Sequence, residues 1–152
     1  TLSDGPPRRR EVFASRAFGE TGDVHLLVHH DFDKPLASVS AGSLTLRNDD
    51  DALTFEARIA PEMRGVSYVQ DVLGALEAGL VGGVSPGFRV PSGGDYAKRE
   101  GSGVMRVVKN ADLIEISAVT KPAYPAAQIE ARSWDAFKPT ANTFQHLKRW
   151  RL

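Results

Sequence analysis

A chain of 152 residues is long enough for one domain with a buried core. Its 19 basic and 19 acidic residues cancel, so no global field draws it toward nucleic acid or an anionic membrane. Cysteine is absent, which excludes disulfides, thiolate metal sites and cysteine-protease chemistry, and no apolar run approaches the roughly 20 residues that cross a bilayer.

Thr1 to Arg10 is polar, carries Pro6-Pro7 and Arg8-Arg9-Arg10, and has no apolar core of a signal peptide. It reads as a flexible lead. Its first residue is Thr, which points to processing or to excision from a longer chain. Val24 to His30 (V-H-L-L-V-H-H) is rich in strand formers. In an extended chain Val24, Leu26, Val28 and His30 share one face, and His25, Leu27 and His29 the other. Ala37 to Arg47 and Leu53 to Ile59 alternate, with Leu44, Leu46, Phe55, Ala57 and Ile59 as inward candidates. Asn48-Asp49-Asp50-Asp51 between them predicts a hairpin turn. The aspartate run lacks the alternate spacing, glycine and distant glutamate of a calcium loop.

Ser67 to Leu80 predicts the main helix. Val66, Val69, Leu73, Leu76 and Leu80 form its apolar stripe, Ser67 is the candidate cap, and Leu80-Val81-Gly82-Gly83 is the stop. Val84 to Val90 returns to strand character, and Pro91 to Gly103 reads as a glycine-rich, charged loop. Met105 to Val108 and Leu113 to Val119 predict two further strands, joined near Asn110-Ala111-Asp112. The chain turns irregular at Pro122-Ala123-Tyr124-Pro125. Trp134 to Leu152 is mixed and compatible with a short helix. These elements predict a mostly β fold, an antiparallel sheet or barrel around one central helix.

Three residues carry candidate chemistry. Gly83-Val84-Ser85-Pro86-Gly87 matches G-x-S-x-G, but a nucleophile elbow needs a strand, a sharp turn and a helix. Pro86 biases Ser85 toward extended conformations, and Phe88 to Pro91 has no helical periodicity. The glycines allow close backbone approach beside Ser85; the plain alternative is a bulged strand with a small polar residue. His30 ends an apolar stripe, where a histidine is more often a satisfied, half-buried residue than a catalyst, and His29 and His25 are rivals. His29 and His30 point to opposite strand faces, and no carboxylate completes a zinc set with His25 and His29. Glu115 shares a face with Leu113, Ser117 and Val119, where a carboxylate needs a partner. An imidazole N–H would suit it for catalysis; Arg89 or Arg106 would make a structural salt bridge.

Together, Leu26–Val39 (L-L-V-H-H-D-F-D-K-P-L-A-S-V), Leu80–Val90 (L-V-G-G-V-S-P-G-F-R-V) and Asp112–Pro125 (D-L-I-E-I-S-A-V-T-K-P-A-Y-P) resemble the prohead proteases of tailed bacteriophages. That family has a strand ending in His-Asp, a hairpin, a helix leading to G-x-S-x-G-F, then L-x-E-(V/I)-S-x-V-x-x-P-A-x-P. The order is kept across most of Leu26 to Ala131, with Pro86 at a commonly aliphatic place and Gly82-Gly83 at a bulkier start. The resemblance implies Ser85 as nucleophile, His30 as its base, because Asp31 completes His-Asp, and Glu115 as third member. It also implies a barrel with surrounding helices like the herpesvirus assembly proteases, whose third member is a second histidine.

On that resemblance, residues 1–15 form the lead, 16–132 the protease domain and 133–152 a C-terminal tail. The implied activity is serine endopeptidase cleavage of the major capsid protein's scaffolding segment, and of the protease itself, inside the assembling prohead in the host cytoplasm. No metal or organic cofactor, nucleic acid or membrane is implied, and a homodimer is compatible. The alternative is a catalytically silent relative that serves as scaffold or capsid-interaction module.

Overall fold

β-Branched and aromatic runs punctuated by Gly, Asn and Asp give this chain its strands. The computed structural model describes residues 9–101, 103–124, 128–131 and 144–148. Among them are eleven strands: β1 (Arg9–Phe13), β2 (His25–Val28), β3 (Asp31–Ser38), β4 (Leu44–Asn48), β5 (Leu53–Arg58), β6 (Gly83–Arg89), β7 (Asp95–Glu100), β8 (Gly103–Val108), β9 (Asp112–Val119), β10 (Gln128–Ala131) and β11 (Phe144–Lys148). One α-helix, α1 (Ser67–Glu77), follows a 3-10 turn at Pro61–Met63.

The larger sheet runs β3-β2-β9-β6-β10-β11-β5-β4, and a smaller one runs β1-β8-β7. The fold is mostly β, as expected. The sheets are mixed rather than antiparallel throughout, because β2 pairs parallel with β9 and β1 parallel with β8. Both are open sheets among the described residues. The two ends of the larger one approach each other: Ser43 N–H donates to Ser38 O across the β3–β4 loop, and Arg58 N–H of β5 donates to Ser43 O.

Asp49 Oδ1 accepts the N–H groups of Asp51 (3.1 Å) and Ala52 (2.9 Å), so the acidic run closes the β4–β5 hairpin as an Asx turn. The stretch expected as one run from Ala37 to Arg47 is two strands with a turn at Val39–Ser43. Helix α1 buries Val69, Val72 and Leu73 and ends at Glu77. Gly79, at φ +74°, lets its own N–H reach Leu76 O and the Leu80 N–H reach Ala75 O, a Schellman stop that leaves Leu80 exposed. Ser67 is the first helical residue rather than the cap, and Val66 caps with no side-chain hydrogen bond.

Other expectations give way to long-range pairing. Arg9 and Arg10, read as lead, enter β1 alongside β8. The charged stretch after Pro91 contains β7, hydrogen-bonded to β8 with almost all its residues exposed; its polarity is that of a solvated hairpin. Phe144–Lys148 is a strand, while the rest of the stretch from Trp134 lies outside the described residues. The core joins Leu26, Val28, Val84, Ile116 and Ala118 of the larger sheet to α1. Phe88 anchors the end of β6 edge-on against Phe13 of β1, with ring centroids 5.0 Å apart.

Candidate active site

Strand β9 is the centre of the candidate site, with β2 on one side and β6 on the other. Ser117 lies in register with Leu27 of β2 and directly opposite Ser85 of β6; Glu115 lies in register with His25 and opposite Gly87. Residues paired this way share a face. That face carries Leu27, which is fully buried yet lies outside the main core cluster, and it carries Ser85 (6% exposed), Glu115 (3%) and Ser117 (0%). Only Ser38 joins them as a buried polar side chain among the described residues. A carboxylate and two hydroxyls on one dry sheet face need internal partners.

His30 supplies one of them. It is not the last residue of a strand, as the alternation suggested: β2 stops at Val28, and His29 and His30 form the two-residue turn before Asp31. Both have positive φ, 48° and 60°, the signature of a type I′ hairpin turn, in which Asn and Gly are usual. Two histidines there are strained, at about 1–3 kcal/mol each. The turn carries the imidazole sideways over β9, where Nδ1 meets Glu115 Oε1. The His30 side chain is 46% exposed and that of Glu115 only 4%, so an outer imidazole rests on an inner carboxylate.

This arrangement decides between the partners open to Glu115. Arg89 pairs instead with Asp112 at 3.0 Å, and Arg106 with Asp95 at 2.5 Å and Glu11 at 2.6 Å. The second carboxylate oxygen, Oε2, accepts the Ser117 hydroxyl at 2.6 Å, and Ser117 Oγ in turn accepts the His30 backbone N–H at 2.9 Å. Ser117 is the residue that sequence reading passed over. Its signal was present in E-I-S, two residues beyond Glu115 and on the same strand face.

Both glycines of G-x-S-x-G have steric work here. A Cβ on Gly87 would lie 2.8 Å from Glu115 Cδ, in the space the carboxylate fills, and one on Gly83 would lie 2.5 Å from Pro122 Cδ. Ser85 is mid-strand and β6 leads to another strand, so the elbow is absent, as Pro86 indicated. Pro86 faces Ile116 of β9 in the ladder, and among the described residues β10 pairs with β6 at Gly83. His30 and Glu115 thus meet each other and Ser117, with Ser85 opposite Ser117 in the ladder, while no hydrogen bond joins the Ser85 hydroxyl to His30 among the described residues. No group of three His, Asp or Glu side chains in those residues forms a metal-holding cluster, and no helix there is long and apolar enough to cross a membrane.

A serine and a carboxylate on adjacent strands, with a histidine on that carboxylate, are the component types of nucleophilic acyl transfer, and comparison with protein families assigns the chain to the serine peptidases. It belongs to the caudovirus prohead serine protease family, whose model matches residues 2–140. Membership carries with it phage capsid maturation, with capsid proteins as substrates and prohead assembly in the host cell as the setting. A comparison with curated proteins finds no match, and one with solved structures finds none either.

Proposed function

We propose that the chain is an active serine endopeptidase in which Ser85 is the nucleophile, His30 the base and Glu115 the residue that orients the base and stabilises its charged form. The contact between His30 Nδ1 and the buried Glu115 carboxylate carries this reading. A carboxylate accepts but cannot donate when ionised, so it favours the proton on Nδ1 and leaves Nε2 free as the base. Nε2 takes the Ser85 proton as Oγ attacks the scissile carbonyl, and later returns it to the leaving amine; water then hydrolyses the acyl-enzyme. Glu115 stabilises the imidazolium formed in between.

The substrates in this reading are the scaffolding segment of the major capsid protein and the protease itself, cut within the prohead. The fold belongs to the same proposal: the short β3–β4 loop, which draws the ends of the larger sheet together, supports a barrel of the herpesvirus assembly-protease kind. A homodimer is compatible with it.

The test is co-expression of the full chain with the capsid protein of the same genome, read by intact-mass spectrometry. The parent removes a defined segment from the capsid protein. Ser85→Ala and His30→Ala leave it whole. Cleavage that persists in Ser85→Ala at the parental rate overturns the assignment of the nucleophile.

A further inference from the structure

We propose that Ser117 is a positioning residue, whose single hydroxyl sets both the orientation of the Glu115 carboxylate and the place of the His30 turn; this deepens the catalytic reading above and rests on it. A hydroxyl has one proton to give and two lone pairs to receive with. At Ser117 the proton goes to Glu115 Oε2 at 2.6 Å, and a lone pair takes the His30 N–H at 2.9 Å. The first bond leaves the opposite oxygen, Oε1, toward Nδ1 of the imidazole. The second holds the backbone of a histidine whose φ of 60° costs energy to maintain. Carboxylate and imidazole are therefore fixed from one atom, on a side chain with no exposed surface.

Position in the sheet adds a second argument. Ser117 is directly opposite Ser85 in the β6–β9 ladder, so the nucleophile strand and the base-bearing turn are referenced to the same residue. Shifts of either would pass through Ser117. Neighbouring strands are about 4.8 Å apart, a spacing too coarse to set an imidazole for proton transfer. Atomic contacts can do that, and Ser117 Oγ makes them to the Glu115 carboxylate and to the His30 backbone N–H. Burial on a dry face makes these bonds hard to replace with water.

The experiment compares Ser117→Ala and Ser117→Thr in the full chain with two readouts. The first is the rate of capsid-protein cleavage on co-expression. The second is the tautomer of His30, read from the ¹⁵N NMR shifts of its imidazole in a Ser85→Ala background that cannot cleave. Ser117→Ala is expected to slow cleavage by roughly 100-fold, the scale of a displacement of about 1 Å in a catalytic group, and to turn one Nδ1–H tautomer into a mixture. Ser117→Thr, which keeps the hydroxyl, restores both. Ser117→Cys, similar in size and only a weak donor, replaces the alanine variant if that one does not fold.

An unchanged tautomer in Ser117→Ala overturns the proposal, whether cleavage is unchanged or reduced, since a merely structural loss would slow cleavage without moving the proton. Persistent cleavage in Ser85→Ala instead brings down the nucleophile assignment, and the tautomer measurement still decides Ser117.

Discussion

Glu115 is 3% exposed with both oxygens engaged, one by the His30 ring and one by the Ser117 hydroxyl. Glu115→Gln keeps the volume and removes the charge that would stabilise an imidazolium. Cleavage of the capsid protein should fall by roughly 10²- to 10⁴-fold, the range of a disabled general base; a rate within a factor of two of the parent would remove Glu115 from the mechanism and leave Ser85 in place. Gly87 tests the same seat sterically. Its missing side chain is the room that the carboxylate occupies, so Gly87→Ala should lower stability by about 1–3 kcal/mol through overpacking. Urea unfolding measures that loss, and cleavage should be impaired even where the variant is folded.

Among the elements, the β2–β3 hairpin is where local preference and the role proposed for His30 conflict. A two-residue turn with both φ values positive favours Asn-Gly, and the chain uses His29-His30. His29 contributes a backbone bond, its N–H donating to Ala118 O at 3.0 Å, and its side chain is exposed. His29→Gly should therefore stabilise the fold by about 1 kcal/mol with cleavage retained, because glycine carries no penalty at positive φ. His30→Gly relieves the same kind of strain but deletes the imidazole and leaves the buried Glu115 Oε1 without its partner, so it should be less stable than His29→Gly and inactive. Thermal unfolding of the two variants beside their cleavage rates separates the contributions. Equal activity in both would show that His30 is not the base.

Across the whole molecule, the smaller sheet is tied to the chain beyond β9 by a polar cluster. Arg106 of β8 bonds Asp95 of β7 and Glu11 of β1, and the Tyr124 hydroxyl donates to Glu11. Burial, and then the hydrogen bond and charge of Glu11, push the Tyr124 hydroxyl well above the ordinary tyrosine range. A raised folded pKa means that this stabilisation is whole below the unfolded value of about 10 and fades as pH rises beyond it. Tyr124→Phe should lower the midpoint of thermal unfolding at neutral pH, and its deficit should shrink above about pH 10. A deficit that stays constant between about pH 7 and about pH 11 would mean that the hydroxyl acts without linkage to its proton, since the ring that packs against Phe13 is kept in the variant.

Alternation and turn chemistry by themselves determined strands β2, β5, β6, β8 and β9, the β4–β5 hairpin and the extended chain around Ser85, because these depend on neighbours a few residues apart. The ordered motifs selected Ser85, His30 and Glu115 from a chain with other serines, three other histidines and many carboxylates. Tertiary structure alone decided the rest. It showed His30 in a strained turn rather than on a strand, for a two-residue hairpin with two histidines contradicts local preference and survives only when its surroundings hold it. It gave Glu115 to His30 rather than to Arg89 or Arg106, since that choice depends on strands lying side by side, not on sequence spacing. And it brought out Ser117, an ordinary strand residue until β2 and β6 pack against both edges of β9 and place its hydroxyl between the His30 backbone N–H and the Glu115 carboxylate.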